Sequence, residues 1–203
     1  MNYTCIIPWS GGVESTAVVC DALDKGEVPY LFHLTLNGYW KQQVNAVNKM
    51  SEIIGVPVHF VHINYTTPYA DYQRTSECYE FGTSPMFINW ANTAQLIHFQ
   101  NPWIPKILYG YNCGIRQRDD GMGDVKTPAV LEVFDSIERA AELSGNPVKM
   151  ISSLERLCKI EQYDSIWDEL KDHVTYCVSP TVNHKPCGEC VKCREFQEMC
   201  KKD

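Results

Sequence analysis

The stretch CIIPWSGGVESTAVV, residues 5–19, decides how this chain is read. An apolar run, Cys5 to Pro8, passes through Ser10-Gly11-Gly12 into a run that favours a helix. A strand that turns into a helix over two glycines leaves the first N–H groups of the helix pointing outward, where the helix dipole also favours negative charge. Gly11 and Gly12 permit positive φ and a close approach of backbone to ligand. Ser10 and Ser15 add hydroxyl donors suited to phosphate oxygens, and Glu14 adds a carboxylate. No lysine follows, so the stretch is neither G-x-x-x-x-G-K-S/T nor G-x-G-x-x-G. Taken alone, Ser-Gly-Gly is equally well a plain turn with a serine cap; its place after the first strand of an alternating chain favours phosphate.

Beyond Gly12 the alternation is regular. Residues 13–26 read as a helix closed by Gly26, 28–36 as a strand, 39–55 as a helix ending at Gly55, and 57–64 as a strand. Helix 84–100, strand 104–111, helix 128–145 and strand 148–152 continue the series. Residues 153–173 read as helical, in one piece or two, and a last short helix falls near 191–201. Five strands, counting the first, separated by helices predict an α/β fold with a parallel sheet. Residues 65–82 and 112–126 lack a clean period and read as long loops.

The chain has 203 residues, 44% of them hydrophobic, enough for a core without disulfides. Its formal charge of -7 argues against nonspecific binding to DNA or RNA, which needs Lys and Arg against phosphates. No apolar run approaches the roughly 20 residues that span a bilayer. The opening MNYTC carries no basic run, so no signal peptide is expected and the expected location is cytoplasmic.

Ten cysteines are many for such a chain. Cys5, Cys20, Cys78, Cys113, Cys158 and Cys200 are scattered and suit small buried positions. Cys177, Cys187, Cys190 and Cys193 cluster as C-x9-C-x2-C-x2-C, a spacing for four thiolates around a tetrahedral Zn²⁺. Four ligands close the site, which makes it structural. Gly188 permits the turn of the knuckle, and Lys185, Lys192 and Arg194 lie near enough in sequence to soften the thiolate charge.

S-G-G-x-E-S-T after a first strand resembles the PP-loop of ATP pyrophosphatases. With the C-terminal PCGECVKCREF (186–196), the chain resembles the 7-cyano-7-deazaguanine synthase (QueC) family over almost its whole length. KMISSLERLCKIE (149–161) is similar to the family's segment before the zinc region, with Lys159 in the place of its lysine. The resemblance implies a Rossmann-like, adenine nucleotide alpha hydrolase-like sheet in residues 1–173 and a small zinc-binding region in 174–203. It implies ATP and Mg²⁺ as cofactors, with Pro8, Trp9, Ser10, Gly11, Gly12, Val13, Glu14, Ser15 and Thr16 around the nucleotide. Ser10, Glu14, Ser15 and Lys159 are then the catalytic set. The implied reaction turns 7-carboxy-7-deazaguanine and ammonia into the nitrile through adenylated intermediates, with no partner beyond these small molecules and a homodimer as the family's habit.

The chain departs from that family where the base would sit. NGYWKQQ (37–43) lacks its Arg-His pair, MFINWAN (86–92) replaces its Arg-Asn pair, and YNCGIRQRDDGMGD (111–124) lacks its Tyr-Pro-Asp-Cys. Trp40, Asn92, Arg116, Arg118 and Asp119 are the expected substrate residues in those stretches, with Lys126, Asp120 and Asp124 beside them. Trp40 and Trp90 offer flat faces to a heterocycle, although a tryptophan beside a helix is more often core. Other readings stay open: an enzyme stopping at the amide or using another deazapurine, a non-catalytic nucleotide-binding relative, and a tRNA-thiolating PP-loop enzyme. The acidic balance counts against the last.

Overall fold

The computed structural model describes residues 2–36, 41–63, 85–110, 128–154, 156–176 and 186–200. In chain order the elements are β1 (Cys5–Pro8), α1 (Val13–Asp24), β2 (Pro29–Leu36), α2 (Lys41–Ile54), β3 (Val58–Ile63) and α3 (Pro85–Gln100). They continue with β4 (Lys106–Leu108), α4 (Pro128–Leu143), β5 (Lys149–Ile151), α5 (Lys159–Asp164), α6 (Asp168–Lys171) and α7 (Val191–Met199). The five strands form one sheet in the order β3-β2-β1-β4-β5, and every pairing is parallel. This is the α/β fold expected from the alternation.

The central strand explains the layering. All four residues of β1 are buried, as expected for a parallel strand covered on both faces. Cys5 and Ile7 pack into one core with Val47 and Met50 of α2, most of α1, and Leu154, Ile166 and Leu170. Ile6 turns the other way, into a core with Phe32 and Leu34 of β2, Trp90, Ala94 and Ile97 of α3, and Phe134, Ile137 and Ala141 of α4. The period of two along β1 thus assigns helices to opposite faces. Trp90 is a core residue, only 8% exposed, against Phe32 and His33.

Two expectations need correction. Residues 153–173 are not helical throughout: 153, 154 and 156 lie in turns, with Leu157 N–H donating to Leu154 O at 3.0 Å. A new helix starts only at Lys159, where Glu161 Oε2 accepts from Cys158 N–H at 2.7 Å and so satisfies a donor at the helix entry. Strand β4 is also shorter than 104–111: it spans Lys106–Leu108, Tyr109 N–H still donates to Ile151 O at 2.8 Å, and at Gly110 the chain passes over the start of α1. Cys5, Cys20 and Cys158 are buried as expected, whereas Cys200 is exposed. Burial lifts the thiols of Cys5 and Cys20 to about 11, which keeps them protonated and inert. Cys78 and Cys113 lie outside the described residues. No helix among the described residues is long and apolar enough to cross a membrane.

Candidate functional site

Strands β2 and β3 lie on one side of β1, and β4 and β5 on the other. The strand order therefore reverses between β1 and β4, and in open α/β sheets the crevice beyond the carboxyl ends of the strands at that point receives ligands. The Ser10-Gly11-Gly12 loop sits there. Gly110, just past β4, forms the opposite edge. A Cβ added at Gly110 would lie 2.4 Å from Glu14 C and 2.5 Å from Glu14 O, so only glycine allows this backbone-to-backbone approach.

The loop is fixed peptide by peptide. Trp9 O accepts from His33 Nδ1 at 2.8 Å, and Ser10 N–H donates to Ser15 Oγ at 3.2 Å, so both ends of the 9–10 peptide are held. Gly11 O accepts from Thr175 N–H at 2.7 Å, while Gly12 N–H meets Ser10 Oγ at 3.2 Å. Ser10 Oγ and Ser15 Oγ are 2.9 Å apart, which sets the two hydroxyls side by side across the turn. Gly11 has a φ of 81°, the left-handed region that a side chain resists. Trp9 Nε1–H donates to Thr16 Oγ1 at 3.0 Å and staples the strand end to the first turn of α1. Among the described residues the N–H groups of Gly11, Val13 and Ser15 have no protein partner. Three unclaimed donors and two adjacent hydroxyls at a helix N-terminus form a cradle for a phosphate-like anion.

Charge is supplied beside the cradle. Lys159, the first residue of α5, reaches Glu14 with Nζ 2.8 Å from Oε1, and the two side chains are 8% and 25% exposed. The pair joins α5 to α1 and places a cation next to the anion cradle. His33 is fully buried and, because a carbonyl can only accept, must carry its proton on Nδ1. Burial holds this imidazole down to about 4, opposed by its hydrogen bond to Trp9 and reinforced by the charge of His62.

The structure thus brings Ser10, Gly11, Gly12, Val13, Glu14, Ser15 and Lys159 together, residues far apart in sequence in the case of Lys159. Pro8, Trp9 and Thr16 are buried, so they shape the loop from behind. Asn92 stands exposed on α3. Trp40, Arg116, Arg118 and Asp119, with Lys126, Asp120 and Asp124, lie outside the described residues. Sequence reasoning missed Gly110, His33 and Thr175. A glycine closing an apolar strand segment was a usable signal for Gly110; nothing local marks the other two.

The second centre is at the start of α7. The Sγ atoms of Cys187, Cys190 and Cys193 all lie within 4.8 Å of one another, and Cys187 and Cys193 Sγ are 3.8 Å apart. Thiolates about 2.3 Å from one tetrahedral ion are themselves about 3.8 Å apart, so the donor set fits a single metal ion such as zinc. Cys190 N–H points to Cys187 Sγ at 3.3 Å and Cys193 N–H to Cys190 Sγ at 3.4 Å, a pattern that stabilises thiolate charge. Gly188 adopts a φ of 79° in the knuckle between Cys187 and Cys190. Cys177, the expected fourth ligand, lies outside the described residues.

No protein-family model and no curated protein matches the chain. Solved structures similar to it include a U34-tRNA thiolase, NcsA, from Methanococcus maripaludis with its 4Fe–4S cluster, at 17% identity and a TM-score of 0.48, over 98% of this chain and 63% of that one. The chain therefore spans less than two thirds of the thiolase. Another is NMN synthetase from Francisella tularensis, at 14% identity and a TM-score of 0.41, over 89% of this chain and 90% of that one.

Proposed function

We propose that this chain is an ATP-dependent ligase of the 7-cyano-7-deazaguanine synthase type, with the Ser10–Thr16 loop holding the pyrophosphate of ATP and a structural zinc at the cysteine centre. The observation that carries the reading is the cradle itself: unclaimed N–H groups, the paired hydroxyls of Ser10 and Ser15, and Lys159 beside Glu14, all at the strand-order reversal. The cysteine spacing and the motif resemblance narrow the class to this substrate.

In this reading the substrate carboxylate oxygen attacks the α-phosphorus of ATP and pyrophosphate leaves into the cradle. Loop donors and Lys159 stabilise the charge that builds on the leaving group. Ammonia then adds to the acyl carbon and AMP departs with the C–O bond electrons, giving the amide. The amide oxygen attacks the α-phosphorus of a second ATP and expels pyrophosphate, and loss of AMP with two protons leaves the nitrile. No protein nucleophile is needed; the chain supplies position and charge. Mg²⁺ would be held by the Glu14 carboxylate and would offset phosphate charge. Zinc would be held by Cys187, Cys190, Cys193 and Cys177, in a C-terminal region that we take to begin near residue 174.

Incubation with ATP, Mg²⁺, ammonia and 7-carboxy-7-deazaguanine, followed by mass spectrometry, tests the reaction. Nitrile with AMP and pyrophosphate is the expected result, and amide alone identifies the shorter reaction. ATP binding without pyrophosphate release overturns the catalytic reading and leaves a nucleotide-binding protein.

A further inference from the structure

The two centres are joined by a short segment of chain. Val174 is buried in the first core, Thr175 N–H holds Gly11 O at 2.7 Å, and the Tyr176 ring stacks on Phe196 with centroids 3.7 Å apart and planes 5° from parallel. Phe196 lies on α7, the helix that begins at the cysteine cluster, and also meets Tyr163 of α5 edge-on at 5.4 Å. Thr175 Oγ1 is buried without a partner among the described residues, 3.3 Å from where a Cβ on Gly11 would be. Thr175 thus fills the space that Gly11 leaves behind the loop.

We infer that residues 174–176 act as a strap through which the thiolate centre holds the anion loop in its binding conformation, with Thr175 as a positioning residue and Phe196 as its anchor. The inference rests on the loop being an anion site. In a trans peptide, C=O and N–H point in opposite directions. With Gly11 O turned back to Thr175, the Gly12 N–H faces Ser10 Oγ on the cradle side. A Gly-Gly peptide has little steric resistance to flipping. Once released, it withdraws the Gly12 N–H from Ser10 Oγ and turns a carbonyl toward the cradle side. The strap is held by Phe196, and α7 has only nine residues, too few to persist as a helix on its own. Metal binding at Cys187, Cys190 and Cys193 orders the first turn of α7 and with it the platform for Tyr176. Coupling of this kind is reciprocal: metal strengthens anion binding, and the anion strengthens metal binding by the same factor.

The test is calorimetric titration of the full chain with inorganic pyrophosphate and Mg²⁺, before and after removal of zinc with a zinc-selective chelator, with folding followed by circular dichroism. Pyrophosphate affinity falls about tenfold in the zinc-free protein and returns on adding zinc, and pyrophosphate raises the apparent zinc affinity by the same factor. F196A, and independently Y176A, keep one zinc per chain but bind pyrophosphate as weakly as the zinc-free protein, while F196W retains wild-type binding. Equal affinity with and without zinc in folded protein overturns the coupling. So does wild-type affinity in zinc-loaded F196A or Y176A, which decides the matter if the zinc-free chain unfolds. Zinc-loaded wild type that binds no pyrophosphate overturns the anion-site reading, and this inference with it.

Discussion

Glu14 carries one methylene more than the aspartate usual at this place in the motif it resembles, and its Oε1 uses that reach to meet Lys159 Nζ at 2.8 Å. E14D should therefore lower turnover of the proposed reaction, by about tenfold in steady-state kinetics, because the shorter acid gives up its 2.8 Å ion pair with Lys159. E14Q removes this ion pair from a nearly buried ammonium; with Glu14 a quarter exposed, the loss in stability is about 2 kcal/mol by chemical denaturation. Gly110 is under a harder constraint. The Cβ of G110A would overlap the Glu14 backbone at 2.4 Å, so either β4 or α1 must move. Destabilisation of about 2 kcal/mol and loss of the proposed ATP binding are expected, read by denaturation and calorimetry.

Among the elements, α1 depends on its entry. The indole of Trp9 is fully buried, and Thr16 Oγ1 is its acceptor. T16V keeps the shape and orphans the buried N–H, so it costs about 1–3 kcal/mol, measured against wild type in urea. The alternation of strands and helices was legible because its stops are local: Gly26, Gly55 and Gly145 follow α1, α2 and α4 with φ of 72°, 69° and 77°. The start of α5 was not legible. Leu154 and Leu157 continue an apolar spacing that looks helical, yet they belong to a turn that buries Leu154 in the core and lets Glu161 cap a new helix. The Ser-Gly-Gly loop and the cysteine knuckle could be read because both are contiguous. Gly110, His33 and Thr175 could not, because each matters only through a residue that the sheet brings to it from elsewhere in the chain.

For the whole molecule, the buried His33 sets part of the acid limit of stability. Its folded value of about 4 lies below the ordinary 6.5, so the unfolded chain binds the extra proton between those pH values. Stability is therefore undiminished above about pH 6.5, falls as pH drops toward 4, and loses nothing further from this group below that. The full effect is about 3 kcal/mol. The denaturation midpoint of wild type should decline across that window, and H33L, which does not titrate, should show a shallower decline. The sheet order also has a bearing on how the site is made. Gly11 leaves the ribosome roughly ten to thirty seconds before its clamp, Thr175. A nascent chain can pair β1 with β2 early, but its loop stays unclamped until the last strand and the strap have emerged. On the proposed function, competence to hold nucleotide then arrives late, which keeps unfinished chains from sequestering it.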